Sequence, residues 1–274
     1  MTPHQREKTA RFRALHEAPG AFVIANAWDA GSARILTSLG FPALATSSGA
    51  CAGILGRRDG QVTREEALAH ARAIVQATEL PVSADLEKCF ADAPEEVAET
   101  IRLAAAAGLS GGSVEDATGY VDRPLFSIAQ ARARVAAAVD AARAIGGGFV
   151  VTARTENFVR GNPDLDDTIR RLQAFQEVGA DVLMAPGLPD LDSVRRVCAA
   201  VSKPVNFMGG IRGKSFSVTE LAAAGVKRVS LATSLYRAAM TGLLDAAREV
   251  RERGTFGYLD TTIVTPEFNA FMRG

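Results

Sequence analysis

The residues best placed for chemistry in this chain are acids. Asp85 and Glu87 stand two apart in Ser83-Ala84-Asp85-Leu86-Glu87, and Glu115 and Asp116 close the stretch Gly111-Gly112-Ser113-Val114. In an extended backbone, residues i and i+2 leave on the same side, so Asp85 and Glu87 share a face. Three acids converging without basic neighbours repel one another. A hard divalent cation resolves that repulsion, and Mg²⁺ suits few carboxylates plus several waters. A solvated loop acid or a helix cap explains any one of them taken singly. Arg154 closes the run Phe149-Val150-Val151-Thr152-Ala153. An arginine there is costly to bury without an anion, and its planar fork can hold a carboxylate by two oxygens. An internal ion pair with Glu115 or Glu156 would also satisfy it. Ser47, Ser48 and Gly49 form a small-residue turn that can offer backbone N–H groups to an anionic oxygen, although such turns are also common for steric reasons. Cys89, next to Lys88, is an acid–base candidate because a thiol near a cation ionises more easily. A small residue tolerated at the start of a loop is the plainer explanation.

These positions make a site only if the elements carrying them end in one place. Short apolar runs at 22–25, 43–46, 81–85, 111–115, 149–154, 182–184, 204–207 and 229–231 read as strands. Between them, amphipathic stretches at 30–39, 63–77, 94–108, 128–145, 165–178, 191–201, 218–224 and 234–253 read as helices. Gly40 closes the first, Thr63 and Glu66 form a capping box, and Pro94 suits a first helical turn. Continuous apolar strands separated by helices imply a parallel sheet buried on both faces. Eight such units predict one (β/α)₈ barrel, a TIM-like α/β fold, occupying 1–274 as a single domain. No Gly-rich dinucleotide fingerprint follows the first strand, which weakens an open doubly wound sheet. Residues 3–16 add a helix before the barrel, and the tail 255–274 reads as irregular, with Pro266 as a breaker.

In such a barrel catalytic groups come from the C-terminal ends of the strands. The strand ends here carry Asn26, Trp28 and Asp29, then Ser47, Ser48 and Gly49, then Asp85 and Glu87, Glu115 and Asp116, Arg154 and Glu156, and Asn206. Composition narrows the function classes. Lys plus Arg and Asp plus Glu are both 31, so no net field draws nucleic acid or an acidic membrane. No apolar run reaches a membrane span, and residues 1–14 lack the apolar core of a secretory signal. Cys51, Cys89 and Cys198 are three, without metal-type spacing, which points to a reducing cytoplasm rather than a disulfide framework.

Together the segments Asn26-Ala27-Trp28-Asp29-Ala30-Gly31-Ser32-Ala33-Arg34, Ala45-Thr46-Ser47-Ser48-Gly49, Ser83-Ala84-Asp85-Leu86-Glu87, Ser113-Val114-Glu115-Asp116 and Thr152-Ala153-Arg154-Thr155-Glu156-Asn157 are specific. Through them, over nearly its whole length, the chain resembles the isocitrate lyase/phosphoenolpyruvate mutase superfamily. The resemblance implies a (β/α)₈ barrel whose last helix is swapped between paired subunits, in homodimers or homotetramers. It implies Mg²⁺, or Mn²⁺ in its place, and a small 2-oxo acid or dicarboxylate reacting through an enolate. It places Asp85 as the direct metal ligand, Glu87 and Glu115 acting through waters, and Asp59 near the metal in the loop after the second strand. Ser47, Ser48 and Gly49 would hold the substrate carboxylate, Arg154 the carboxylate or enolate oxygen, and Trp28 and Asn206 further substrate contacts. The chain departs from the lyases for isocitrate and methylisocitrate, which carry a Lys-Arg/Lys-Cys-Gly-His loop. Here Ala117-Thr118-Gly119-Tyr120-Val121-Asp122-Arg123 follows Glu115-Asp116. The gating-loop lysine of the phosphonopyruvate enzymes is not recognisable either. A C–C lyase or decarboxylase reaction is therefore the expectation. P–C bond mutase or hydrolase chemistry and non-catalytic binding of a 2-oxo acid stand as alternatives.

Overall fold

A computed structural model describes residues 1–273. Eight parallel strands close into a barrel in chain order, as the alternation predicts. They are β1 (Phe22–Asn26), β2 (Leu44–Ala45), β3 (Val82–Ala84), β4 (Gly111–Glu115), β5 (Val150–Arg154), β6 (Val182–Met184), β7 (Val205–Met208) and β8 (Arg228–Ser230). Closure is made by β8 against β1, with Arg228 opposite Phe22 and Ser230 opposite Ile24. The longest ladder joins β4 to β5 and sets Glu115 directly opposite Arg154. One acid and one arginine thus reach the same rim by register alone.

Helix α1 (Pro3–Glu17) precedes the barrel. Helices α2 (Ala30–Ser38), α3 (Ser48–Ile54), α4 (Arg64–Gln76), α5 (Pro94–Ala106) and α6 (Ile128–Ile145) follow, and then α7 (Leu165–Glu177), α8 (Leu191–Ala200), α9 (Val218–Ala223) and α10 (Ser234–Arg253). Caps fix where several of them begin: Asp29, Thr63, Ser127 and Ser217 each form a capping box. The core lies between sheet and helices, from Ala25 and Leu44 through Leu86, Ile101 and Phe149 to Leu183 and Phe207. Gly112 shows how tightly β4 is packed, because a Cβ there would sit 2.7 Å from Leu86 Cδ1.

Two parts of the chain differ from the sequence reading. Ser47 and Ser48 do not lie in a plain turn, since Ser48 begins α3 with Ser47 as its N-cap residue. The tail is not irregular. A 3₁₀ turn at Gly257–Asp260 leads to α11 (Thr265–Phe271), which carries Pro266 in its first turn. Proline breaks a helix interior but suits a first turn, where its missing N–H has no helical partner to lose. Gly274 lies outside the described residues. Among those residues no helix is long and apolar enough to cross a membrane.

Candidate active site at the barrel mouth

A cavity enters the barrel from the C-terminal ends of the strands, lined by Asp85, Ser113, Arg154 and Asn206 among others. Arg154 is the hub. Its Nε donates to Glu156 Oε1 at 2.5 Å and lies 3.6 Å from Glu115 Oε2, and a terminal nitrogen lies 3.9 Å from Asp85 Oδ1. Burial works against its charge, and Glu156, Glu115 and Asp85 overcome that and hold the guanidinium protonated. The acids therefore do have basic neighbours. Arg160 is the second, with Glu156 Oε2 at 3.2 Å and Glu115 Oε1 at 3.7 Å.

Asp85 is held from three sides. Ser48 N–H donates to its Oδ2 at 3.2 Å, and Glu87 N–H and the Ser113 hydroxyl donate to its Oδ1 at 3.3 and 3.4 Å. The segment after β3 is strained, for Glu87, Cys89 and Phe90 all have positive φ, at 51°, 60° and 57°. Arg134 of α6 holds that segment to the end of β4. It donates to the carbonyls of Glu115 and Ala91 at 2.9 Å each and to that of Lys88 at 2.5 Å. Asp116 braces the end of β5, accepting from Glu156 N–H at 2.8 Å and the Thr155 hydroxyl at 2.9 Å. Gly49 leaves room for Asp59, whose Oδ2 is 3.3 Å from the place a Cβ would take.

The structure thus brings Asp59, Asp85, Glu87, Glu115, Arg154 and the first turn of α3 to one rim, with Asn206 lower in the same cavity. Burial, then the charges of Asp85 and Asp59, push Glu87 up to about 7. Burial raises Glu115 against the opposing pull of Arg154. Trp28 and Cys89 do not line that cavity. Trp28 packs edge-on against Tyr236 at 5.8 Å, and its carbonyl meets His70 Nε2 at 2.7 Å. Cys89 is 0% exposed, points its sulfur at the Ser113 carbonyl at 3.7 Å, and is pushed by burial up to about 12. A thiol so placed has neither the access nor the acidity of a general acid–base group. Sequence reasoning missed Arg160 and Arg228. Arg160 lies in a loop without periodic signal, and Arg228 sits one residue ahead of the apolar run that marks β8.

The donors present are hard oxygens, and their negative charge exceeds that of the two arginines beside them. This set fits a divalent cation of the Mg²⁺ type. Among the described residues no group of three or more His, Cys, Asp or Glu is close enough to hold an ion by side chains alone. Mg²⁺ usually keeps several waters, so one direct carboxylate with outer acids acting through water is compatible with that spacing.

A closed (β/α)₈ barrel with acids and arginines at its C-terminal mouth defines a barrel enzyme. The sequence profile of phosphoenolpyruvate phosphomutase matches residues 12–251, and the chain belongs to that family, within the PEP mutase/isocitrate lyase superfamily. A protein of Burkholderia cenocepacia J2315 described as a lyase/mutase has a crystal structure superposing with a TM-score of 0.97. It is 49% identical, over 100% of this chain and 98% of that one. The 2,3-dimethylmalate lyase of Eubacterium barkeri is 29% identical, over 96% of this chain and 93% of its own. The oxaloacetate decarboxylase of Chromohalobacter salexigens is 28% identical, over 92% and 88% respectively.

Proposed function

We propose that this chain is a divalent-metal-dependent enzyme that breaks or forms a C–C bond next to a small 2-oxo acid by stabilising its enolate. The observation that carries the reading is the unbalanced charge at the mouth. Asp59, Asp85, Glu87, Glu115 and Glu156 gather around Arg154 and Arg160. Asp85 would hold Mg²⁺ or Mn²⁺ directly, with Glu87, Glu115 and Asp59 orienting its waters. The ion, when bound, would supply Lewis-acid polarisation of the 2-oxo group. Arg154 stabilises the enolate oxygen through a fork pre-set by Glu156, so its orientation need not be found during the reaction. With the Ser48 N–H held by Asp85, the next N–H groups of α3, from Gly49 on, would receive the substrate carboxylate.

Similarity to relatives named as a lyase and a decarboxylase supports a C–C bond as the one that reacts. The loop 117–125, closed by a bridge between Ala117 and Leu125, carries no cysteine. That sets the chain apart from an acid–base scheme of the methylisocitrate lyase kind. We further propose a homodimer or homotetramer built on α10, acting in a reducing, cytoplasmic setting. The test is turnover with Mg²⁺ of oxaloacetate, 2-methylisocitrate, alkylmalates and phosphonopyruvate, followed by pyruvate and phosphate release. Pyruvate from a C–C substrate is expected. Reaction of phosphonopyruvate alone would move the assignment to P–C chemistry. Binding with no turnover of any member would make the chain a 2-oxo acid binding protein.

A further inference from the structure

Below the acids, the barrel interior holds an arginine that the proposed chemistry does not use. Arg228 opens β8 and turns inward, where it is 4% exposed. Its Nε donates to Asn206 Oδ1 at 2.8 Å, and one terminal nitrogen donates to Thr152 Oγ1 at 2.9 Å. The other terminal nitrogen meets His16 Nε2 at 3.3 Å. Each partner is neutral, since His16 directs Nδ1 at the Phe12 carbonyl at 2.8 Å and so offers Nε2 as an acceptor. Burial alone pulls the Arg228 guanidinium down to about 9, with no acid among the described residues opposing it.

The other buried arginines are served differently. Arg171 pairs with Asp116 and Asp167, and Arg134 is wrapped by backbone carbonyls away from the cavity. Arg228 instead borders the cavity that opens at Asp85 and Arg154, together with Asn206, Ser230 and Thr152. A buried cation without a counter-ion is destabilising. One placed on the wall of an open cavity is set to receive an anion. Thr152 precedes Arg154 by two residues on β5, so the nitrogen bonded to Thr152 lies about 7 Å deeper than the rim. An extended four-carbon diacid spans about 4 Å between carboxyl carbons. Hydrogen bonds of about 2.8 Å at each end let it reach from the rim to that depth.

We propose that Arg228, held by Asn206, is a specificity-determining residue that receives the second carboxylate of a diacid whose first carboxylate lies at the mouth. This rests on the reading of the mouth as a metal and 2-oxo acid site. It makes the enzyme selective for substrates with a free carboxylate beyond the reacting carbons.

The experiment compares two probes by calorimetry in Mg²⁺. Oxalate would use both carboxylates on the ion at the mouth, whereas (S)-malate would use its C1 carboxylate and hydroxyl and leave C4 free. Arg228→Gln is expected to weaken malate at least ~10-fold relative to oxalate, the size of a lost charge-assisted hydrogen bond. Asn206→Asp guards against a folding failure, because it gives Arg228 an internal counter-ion. It is expected to raise the melting temperature and to weaken malate relative to oxalate by a similar factor. An unchanged malate-to-oxalate ratio in both variants would overturn the assignment of Arg228. Wild-type protein that binds neither probe would overturn the reading of the mouth, and the inference with it.

Discussion

Arg154 is pre-set by Glu156 at 2.5 Å before any ligand arrives, while Cys89 is fully buried and does not line the cavity. The two residues therefore make opposite predictions. Arg154→Lys keeps the charge and loses the fork, so it cannot hold an enolate oxygen and Glu156 in one geometry. On the substrate that the turnover panel identifies, kcat is expected to fall ~100-fold or more with a smaller change in KM, as when one electrostatic donor of a transition state is lost. Cys89→Ser should leave kcat close to that of the wild type. A crippled Cys89→Ser with a nearly silent Arg154→Lys would reverse these roles. Asp85, Glu115 and Arg154 were legible in the sequence because each ends an apolar run, where the barrel geometry dictates a shared rim. Arg160 and Arg228 were not, because their importance depends on which acids stand near them or fail to, and a single sequence carries no such distances. The pairing of Arg154 with Glu156 was visible as an alternative to substrate binding. The structure makes it the support for the fork.

At the scale of elements, α1 reaches the barrel through His16, which Phe12 and Phe22 pack edge-on at 4.8 and 5.1 Å. Burial, then the charge of Arg228, lower His16 from 6.5 to about 3. The folded state thus keeps it neutral at pH values where the unfolded chain takes up a proton. The stabilisation is complete above pH 6.5 and is lost as pH falls from there toward 3. Between pH 6.5 and 5 this group should remove on the order of 2 kcal/mol, and His16→Gln should flatten that part of the profile. Urea titrations of both proteins across this range measure it, and parallel profiles would refute the role given to His16. Most helices were legible because caps and apolar spacing agreed, as at Thr63 and Glu66 in α4. Helix α3 was not, because Ser-Gly-Ala-Cys-Ala-Gly-Ile carries two glycines and no amphipathic repeat. Helix α11 is hidden in the sequence because Pro266 suggests a break, whereas it stands in the helix's first turn.

For the whole molecule, the eightfold alternation made the barrel legible, and the register of β4 against β5 then placed Glu115 opposite Arg154. For α10 the alternation gives only a helix, and its packing on a second subunit is implied by the resemblance alone. None of its residues is buried within the chain, and Leu243 and Leu244 stand exposed, as do Phe256, Leu259 and Phe268 beyond it. The proposed assembly would cover these exposed apolar side chains. Light scattering at micromolar concentration is expected to give a mass of two or four times 28.8 kDa, and a stable monomer would refute the assembly. The proposed function requires that the acids at the mouth hold a divalent cation through Asp85. It is tested most directly by titrating Mn²⁺ into the wild type, Asp85→Ala and Asp92→Ala, and following free ion by electron paramagnetic resonance. Asp92 pairs with Lys88 at 2.6 Å and serves as the nearby control. One site per chain is expected in the wild type and in Asp92→Ala, with affinity reduced ~100-fold or more in Asp85→Ala. Equal Mn²⁺ affinity in all three proteins, or none in the wild type, would contradict it.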